Sequence, residues 1–247
     1  MDGRVLKTLA YQAVGHCRIL DIASDLNGES AESLYTEVED LCDRIAWDES
    51  ASVVVLAFDG EMDCAIERIS YEGFSLVASV AGLKQPVIAA IRKNAIGIGL
   101  ELALACDIRF GIENARFGFP QIREGVIPAN GGTQRLPRLI GQGRALQMIL
   151  TGELIDAGAA YRAGLIHRVV VSDALMNSVM QLAQEMAEKS PLSLSYAKEA
   201  LYAGGDLTLD QGLKMELDLY LHLFTTEDRT EGITAFKEKR KPKFGGV

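Results

Sequence analysis

The spacing of apolar and polar residues along the chain predicts alternating strands and helices. Apolar runs of the kind found in strands buried on both faces of a sheet occur at 17–22, 52–58 and 86–91. Between the first two runs, apolar residues recur every three or four positions, as in an amphipathic helix: Leu34, Val38, Leu41 and Ile45. The order strand, helix, strand predicts two parallel strands joined by a right-handed crossover.

The same kind of pattern predicts helices and strands in the rest of the chain. A helix over 69–83 returns the chain to the strand at 86–91, and a glycine turn over 94–99 precedes a helix over 100–106 and a strand over 108–110. Further helices are predicted at 144–150, 156–163, 174–189, 193–203, 210–224 and 228–239, with one more strand at 167–171. We therefore expect an α/β core over 1–190 that continues without a linker into a helical region over 191–247.

The turn and helix that follow the strand at 86–91 hold the most suggestive polar residue. Glu101 lies early in an apolar helix, between Leu100 and Leu102. Desolvation there would raise its pKa toward a range that is useful for proton transfer. A second interpretation is that Glu101 only complements the positive end of the helix dipole. The spacing alone leaves both interpretations open.

Composition and charge narrow the classes of function. The chain has 247 residues, nearly half of them apolar, and a formal net charge of −9, which disfavours broad binding to nucleic acid or anionic membranes. No apolar run reaches transmembrane length, and the N-terminus lacks the pattern of a signal peptide. Four scattered cysteines without CxxC spacing are typical of a reduced, cytoplasmic protein, and three scattered histidines do not predict a metal site.

Several short stretches of the chain form recognisable motifs: Pro86–Ala90, Gly97–Ala103, Cys106–Ile108, Phe117–Pro120, Gly131–Leu136, Leu150–Glu153, Ala163–Ile166, Glu231–Phe236 and Lys239–Pro242. Together these motifs resemble those of the enoyl-CoA hydratase/isomerase (crotonase) superfamily. The resemblance covers nearly the whole chain from about Ser52 onward. The superfamily supports many reactions on one fold, so the resemblance indicates the family more strongly than the reaction.

The resemblance implies a crotonase-like (ClpP/crotonase) fold, with a repeated ββα superhelix core and a C-terminal helical trimerisation region. It also implies an acyl-CoA enzyme of fatty acid metabolism that stabilises a thioester enolate between two backbone N–H groups. No cofactor is expected beyond the coenzyme A of the substrate. The expected assembly is a homotrimer or a dimer of trimers, without nucleic acid or membrane partners.

The family pattern assigns roles to individual residues. Matching positions give Cys64 and Ile98 as the oxyanion hole and Glu101 as the principal acid/base. The second catalytic glutamate of the hydratases corresponds to Gln121, which cannot exchange a proton near pH 7, and Glu124 is a candidate substitute. The resemblance places substrate-binding positions at Ala65, Ile66, Gly97, Gly99, Pro120, Gly132, Lys239 and Lys241, the two lysines at the CoA phosphates.

A single retained carboxylate is compatible with more than one function. It fits a double-bond isomerase, a hydratase for a specialised acyl-CoA, or a decarboxylase or hydrolase that acts on a CoA-bound or carrier-bound acyl chain. A family member that is catalytically weakened and only binds acyl thioesters is the alternative from a different class.

Overall fold

A computed structural model describes residues 6–22, 28–59 and 75–247, apart from the side chains of 28–32 and 75. Nine strands are found in this part of the chain: β1 Leu9–Val14, β2 Cys17–Ile22, β3 Val53–Phe58, β4 Val87–Ile91, β5 Ala95–Ile96, β6 Ile108–Ile112, β7 Arg116–Gly118, β8 Leu154–Asp156 and β9 Arg168–Val170. Its α-helices are α1 Gly28–Ala46, α2 Ser75–Ala81, α3 Ile98–Ala105, α4 Gly132–Ile140, α5 Gln142–Thr151, α6 Ala157–Arg162, α7 Leu175–Ala187, α8 Pro191–Gly205, α9 Leu209–Leu223 and α10 Glu227–Glu238.

Six strands form the main sheet in the order β1-β2-β3-β4-β6-β9. Every neighbouring pair is parallel except β1 and β2, which form an antiparallel hairpin. All side chains of β3 and β4 are buried, as the continuous apolar runs predict. The predicted α/β organisation and the parallel pairing of the first two predicted strands are therefore confirmed.

Helices cover both faces of the main sheet. On one face, α1, α2 and α3 pack with Leu56, Ala89 and Ile91 in the larger apolar cluster. On the other face, α7 packs Leu175 and Val179 against the alternate strand residues. Because β-strand side chains alternate between faces, the same strands supply both clusters.

A second, three-stranded sheet has the order β5-β7-β8. Its β7 and β8 pair so closely that a Cβ on Gly118 would lie 2.7 Å from the carbonyl oxygen of Glu153. These strands are only two or three residues long, too short for an alternating pattern to mark them in the sequence. The small sheet matters for the site because β5 leads into α3 and its neighbour β7 leads into residues 120–124.

Most predicted helices are found within a few residues of the expected ends. Helix α3 begins at Ile98 rather than at Leu100, because Gly97 serves as its N-cap and its carbonyl oxygen accepts from the N–H groups of Leu100 and Glu101. The N-terminal part of the helix predicted over 69–83 lies outside the described residues.

Asp107 ties the end of α3 to the C-terminal helices. Its Oδ2 accepts a hydrogen bond from the backbone N–H of Val87 at 2.6 Å and lies 2.8 Å from Nζ of Lys198 on α8. Nζ of Lys198 also donates to the carbonyl oxygen of Gln85 at 3.0 Å. These contacts agree with the structural role that a capping or backbone-bonding aspartate is expected to have.

The last helices carry few buried side chains. Neither α8 nor α9 has a buried residue, although both contain many large apolar side chains. Across the described residues, no helix is long and apolar enough to cross a membrane.

Candidate active site

The site is built where the first turn of α3 meets the N-terminus of α4. Glu101 lies in that first turn and is 1% exposed, in a helix whose other residues from Gly99 to Ala105 are also buried. A buried carboxylate needs hydrogen-bond donors, because removing a charge from water is costly unless the group is paired.

The loop before α4 supplies those donors. Oε1 of Glu101 accepts from the backbone N–H of Asn130 at 2.6 Å and from that of Gly132 at 2.9 Å. Oε2 accepts from the side-chain Nδ2 of Asn130 at 3.1 Å. Gly132 begins α4, so the positive end of this helix also faces the carboxylate.

Burial and hydrogen bonding act on the pKa of Glu101 in opposite directions. Desolvation is the largest effect and raises the pKa above its ordinary value. The hydrogen bonds from Gly132 and Asn130 and the charge of Arg135 oppose this rise. The net direction is upward, as expected for a carboxyl that exchanges a proton at moderate pH.

Close packing around Gly132 leaves no room for a larger residue. A Cβ there would lie 2.8 Å from Cζ of Phe119, 2.9 Å from Cβ of Pro128 and 3.1 Å from Oε1 of Glu101. Glycine is therefore required for the backbone N–H of residue 132 to reach the carboxylate. The predicted substrate-binding residue Gly132 thus contacts the predicted acid/base directly.

Ile98 occupies the first position of α3 and is half-buried. Among the described residues, positive φ outside glycine occurs only at Lys239, so Ile98 has an ordinary backbone conformation. The positive φ of this turn, 58°, falls on the preceding Gly97. An N–H in the first turn has no acceptor within its own helix, which leaves the N–H of Ile98 available to a ligand.

Gln121 lies in a 3-10 helix over 120–124 that begins with Pro120. A Cβ on Gly97 would lie 3.1 Å from Nε2 of Gln121, so this amide packs against the turn that starts α3. Its Oε1 is buried and has no hydrogen-bond partner among the described residues. Gln121, Gly97 and Glu101 are thus brought to the same end of α3.

The remaining predicted residues are placed differently. Glu124 is exposed at the end of the 3-10 helix. Lys239 caps α10, and Lys241 pairs with Glu188 at 3.1 Å; both lysines are exposed. Cys64, Ala65 and Ile66 lie outside the described residues. The structure contains no group of metal-binding side chains within the ranges it describes.

The family pattern does not mark Asn130 as a residue of the site. A signal for it exists in the order Asn130-Gly131-Gly132 just before a helix, since asparagine is common at turns and caps. What the sequence does not contain is the distance between this turn and Glu101, 29 residues earlier.

Comparison with known proteins identifies the family of the chain. The family model described as Enoyl-CoA hydratase/isomerase matches residues 33–247. The chain belongs to the enoyl-CoA hydratase/isomerase family. This confirms the resemblance that the motifs indicate, and an enzyme of the hydratase or isomerase type is the class that its relatives represent.

Two curated relatives and one solved structure illustrate the similarity. The chain is 47% identical over 171 residues to 2,3-dehydroadipyl-CoA hydratase of Escherichia coli, covering 69% of this chain and 67% of that protein. It is 45% identical over 165 residues to a probable enoyl-CoA hydratase of Rhizobium meliloti, covering 67% of this chain and 64% of that protein. The aligned segments thus span about two thirds of the length of these relatives.

The solved structure is an enoyl-CoA hydratase from Bacillus anthracis. Its TM-score is 0.90 at 34% identity, and the match covers 98% of this chain and 100% of that one. The predicted crotonase-like α/β fold with a helical C-terminal region is therefore confirmed.

Proposed function

We propose that the protein is an acyl-CoA enzyme of the enoyl-CoA hydratase/isomerase type that uses Glu101 as its acid/base. The observation that carries this proposal is the buried Glu101 carboxylate, held by three donors in the same helical turn as the N–H of Ile98. A proton-transfer group next to an available N–H is what an enolate mechanism requires.

The N–H of Ile98 is the proposed donor to the thioester carbonyl oxygen. Its position at the start of α3 adds the positive end of the helix dipole to the hydrogen bond. The second donor of the proposed oxyanion hole is the N–H of Cys64, with Ala65 and Ile66 beside it. Loss of one such donor costs about 3–4 kcal/mol of transition-state stabilisation in comparable sites.

Gln121 limits the possible mechanisms. A carboxamide accepts and donates hydrogen bonds but does not exchange protons near pH 7. We propose that its Oε1 orients a water molecule or a substrate group, and that Glu101 both removes and returns the proton. This scheme suits a double-bond isomerase or a hydratase with one carboxylate.

A panel of CoA thioesters tests the proposal. Crotonyl-CoA, a 3-enoyl-CoA and a malonyl-type thioester are incubated with the protein, and products are followed by mass spectrometry. Hydration or double-bond migration is the expected result. Binding without turnover of any thioester would instead support the weakened, binding-only alternative, and loss of carbon dioxide would support a decarboxylase.

Changing Gln121 to glutamate separates the two leading reactions. We expect Gln121→Glu to raise crotonyl-CoA hydration by at least about tenfold, because a second carboxyl supplies general acid catalysis, which is worth about 10²–10⁴ in rate. Gln121→Ala should lower every activity of the protein. If Gln121→Glu left hydration unchanged and wild type only moved double bonds, the enzyme would be an isomerase.

The C-terminal helices support a proposed homotrimer, or a dimer of trimers. Large apolar side chains recur every three or four residues along α9 and its C-cap, and each is between 43% and 80% exposed: Leu209, Leu213, Leu217, Tyr220 and the C-cap Phe224. Such a stripe on a helix without any buried residue is typical of a face covered by another protein surface, here a second copy of the chain.

Light scattering tests the assembly. We expect a mass of three or six chains for wild type, and a lower mass for Leu213→Glu combined with Leu217→Glu. Asn177→Glu, at an exposed position of α7, is the matched control and should keep the wild-type mass. A wild-type protein with the mass of one chain would contradict the proposal.

The role of Lys239 and Lys241 at the CoA phosphates stays a prediction, as do the absence of any cofactor beyond the substrate's coenzyme A and the cytoplasmic location. In a trimer, the exposed position of both lysines would allow them to serve a neighbouring subunit.

A further inference from the structure

The two oxygens of Glu101 have different environments. Oε1 accepts two backbone N–H groups, from Asn130 at 2.6 Å and Gly132 at 2.9 Å. Since a carboxylate oxygen has about two lone-pair sites, Oε1 has no site left for a proton. Oε2 accepts one described donor, Nδ2 of Asn130 at 3.1 Å, and keeps a free lone pair.

We propose that Asn130 is a positioning residue that fixes Oε2 of Glu101 as the oxygen that exchanges the proton. The proposal rests on the function proposed above, in which Glu101 is the acid/base. Oε2 takes a proton from water or from the acyl chain in one half of the reaction and returns it to the acyl chain in the other. The carboxylate is thereby regenerated, and no further reactant is needed.

The position of Asn130 is itself well determined. Its carbonyl oxygen accepts from Nη1 of Arg135 at 2.9 Å. The next residue, Gly131, has φ 98° and serves as the N-cap of α4, a conformation that residues with a Cβ rarely adopt. A Cβ on Gly131 would also collide with the Arg135 guanidinium. Backbone and side chain of Asn130 are therefore held together against one carboxylate.

Besides the hydrogen bond from Asn130, few charged side chains act on the protonation of Glu101. Arg135 on α4 is the charged side chain whose field reaches the carboxyl, and it favours the ionised form. Glu101 is the only charged residue of α3. Arg123 and Glu124, on the neighbouring 3-10 helix, are exposed, and Nη2 of Arg123 donates to the carbonyl oxygen of Gly152.

The hydrogen bond from Nδ2 of Asn130 determines the direction in which the pKa of Glu101 should change when Asn130 is replaced. A hydrogen bond to a carboxylate stabilises its charged form and lowers its pKa. Removing Nδ2 in Asn130→Ala should raise the pKa of Glu101 further above its ordinary value. The reaction needs the ionised carboxylate, so activity is lost as the pH falls through this pKa. The acid limb of kcat/KM against pH should therefore move to higher pH, by about one unit.

The experiment compares Asn130→Ala and Asn130→Asp with Asn177→Ala, a control at an exposed position of α7. Asn130→Asp should move the acid limb further than Asn130→Ala, because it adds a like charge beside Oε2. The control should keep the wild-type profile. Thermal unfolding of each variant shows whether the fold is retained.

A second readout does not depend on turnover. The Glu101 carboxyl is titrated by NMR in protein labelled with ¹³C at the glutamate carboxyls, and its signal is assigned by its loss in Glu101→Gln. The titration of Glu101 should shift to higher pH in both Asn130 variants, and further in Asn130→Asp than in Asn130→Ala. If wild type turned over no thioester, the proposed function would fail, while this titration would still decide the role of Asn130.

Two results would overturn the inference. One is an unchanged titration of Glu101 in both folded variants. The other is a kcat that falls equally at every pH with the acid limb unmoved, which is what a purely structural role of Asn130 predicts.

Discussion

Glu101→Gln should lower turnover of the best acyl-CoA substrate by about 10²–10⁴-fold, the usual contribution of a general acid/base. Glutamine keeps the size of the side chain and an oxygen that can accept from the N–H groups of Asn130 and Gly132. It removes the ability to take up a proton. The expected loss is in kcat, with KM little changed, measured by steady-state kinetics on the thioester that the panel identifies.

Variants of two other glutamates show whether the loss is specific to Glu101. Glu113→Gln, at an exposed position between β6 and β7, is the matched control and should retain wild-type turnover. Glu124→Gln tests whether the exposed carboxyl at the end of the 3-10 helix acts as the second acid. A large loss in Glu124→Gln would give Glu124 that role. If folded Glu101→Gln kept turnover within about threefold of wild type, Glu101 would have no part in proton transfer.

The pH dependence follows from the same carboxyl. Burial raises the pKa of Glu101, so its ionised form is lost at a higher pH than for an exposed glutamate. An enzyme that needs the carboxylate therefore loses activity, as the pH falls, at a higher pH than it would with an exposed glutamate. The hydrogen bonds from Asn130 and Gly132 lower the pKa of Glu101 and so reduce the rise that burial causes.

The sequence was most informative where burial is continuous. The apolar runs at 52–58 and 86–91 contain β3 and β4, in which every residue is buried, so a continuous apolar run correctly predicts a strand here. The hairpin strand β1 was not predicted, because its residues alternate between buried and exposed too irregularly to show a period. Strands β5, β7 and β8 depend on pairing between distant segments, which a local pattern does not contain.

The candidate site also has a part that the sequence predicts and a part that it does not. The place of Glu101 in an apolar helix marks it as a candidate, whereas the roles of Gly97 and Ile98 come from the resemblance to the family. The β-branched Ile98 needs no positive φ, because the positive φ of this turn falls on the preceding Gly97. The donors of Asn130 and Gly132 were not predicted, because their contact with Glu101 is created by the packing of α4 against α3.

A second large effect is expected on stability, at the other end of α3. Asp107→Ala should lower the free energy of unfolding by about 3 kcal/mol. The change leaves the buried N–H of Val87 without its acceptor at 2.6 Å. It also leaves the ammonium group of Lys198, with a side chain only 11% exposed, without its carboxylate partner. Denaturant unfolding at one fixed protein concentration measures the loss.

A double-mutant cycle separates the ion pair from the backbone contact. Lys198→Met removes the charge while keeping an apolar stem, and Asp107→Ala combined with Lys198→Met should cost less than the two single changes added together. Strict additivity would mean that the 2.8 Å pair contributes nothing to stability. A loss below about 1 kcal/mol for Asp107→Ala would likewise contradict the anchoring role.

Catalysis provides the control that distinguishes this anchor from the active site. Asp107 follows Glu101 by six residues and lies beyond the last residue of α3, whereas Glu101 lies in the first turn of that helix, so the two residues are at opposite ends of α3. Folded Asp107→Ala should therefore keep kcat within about twofold of wild type while unfolding more easily. Because Lys198 belongs to α8, the same variant should also loosen the C-terminal helices from the sheet. Hydrogen exchange in α8 that rises more than exchange in α3 is the expected result, and equal protection of both helices in wild type and variant would show that Asp107 does not anchor α8.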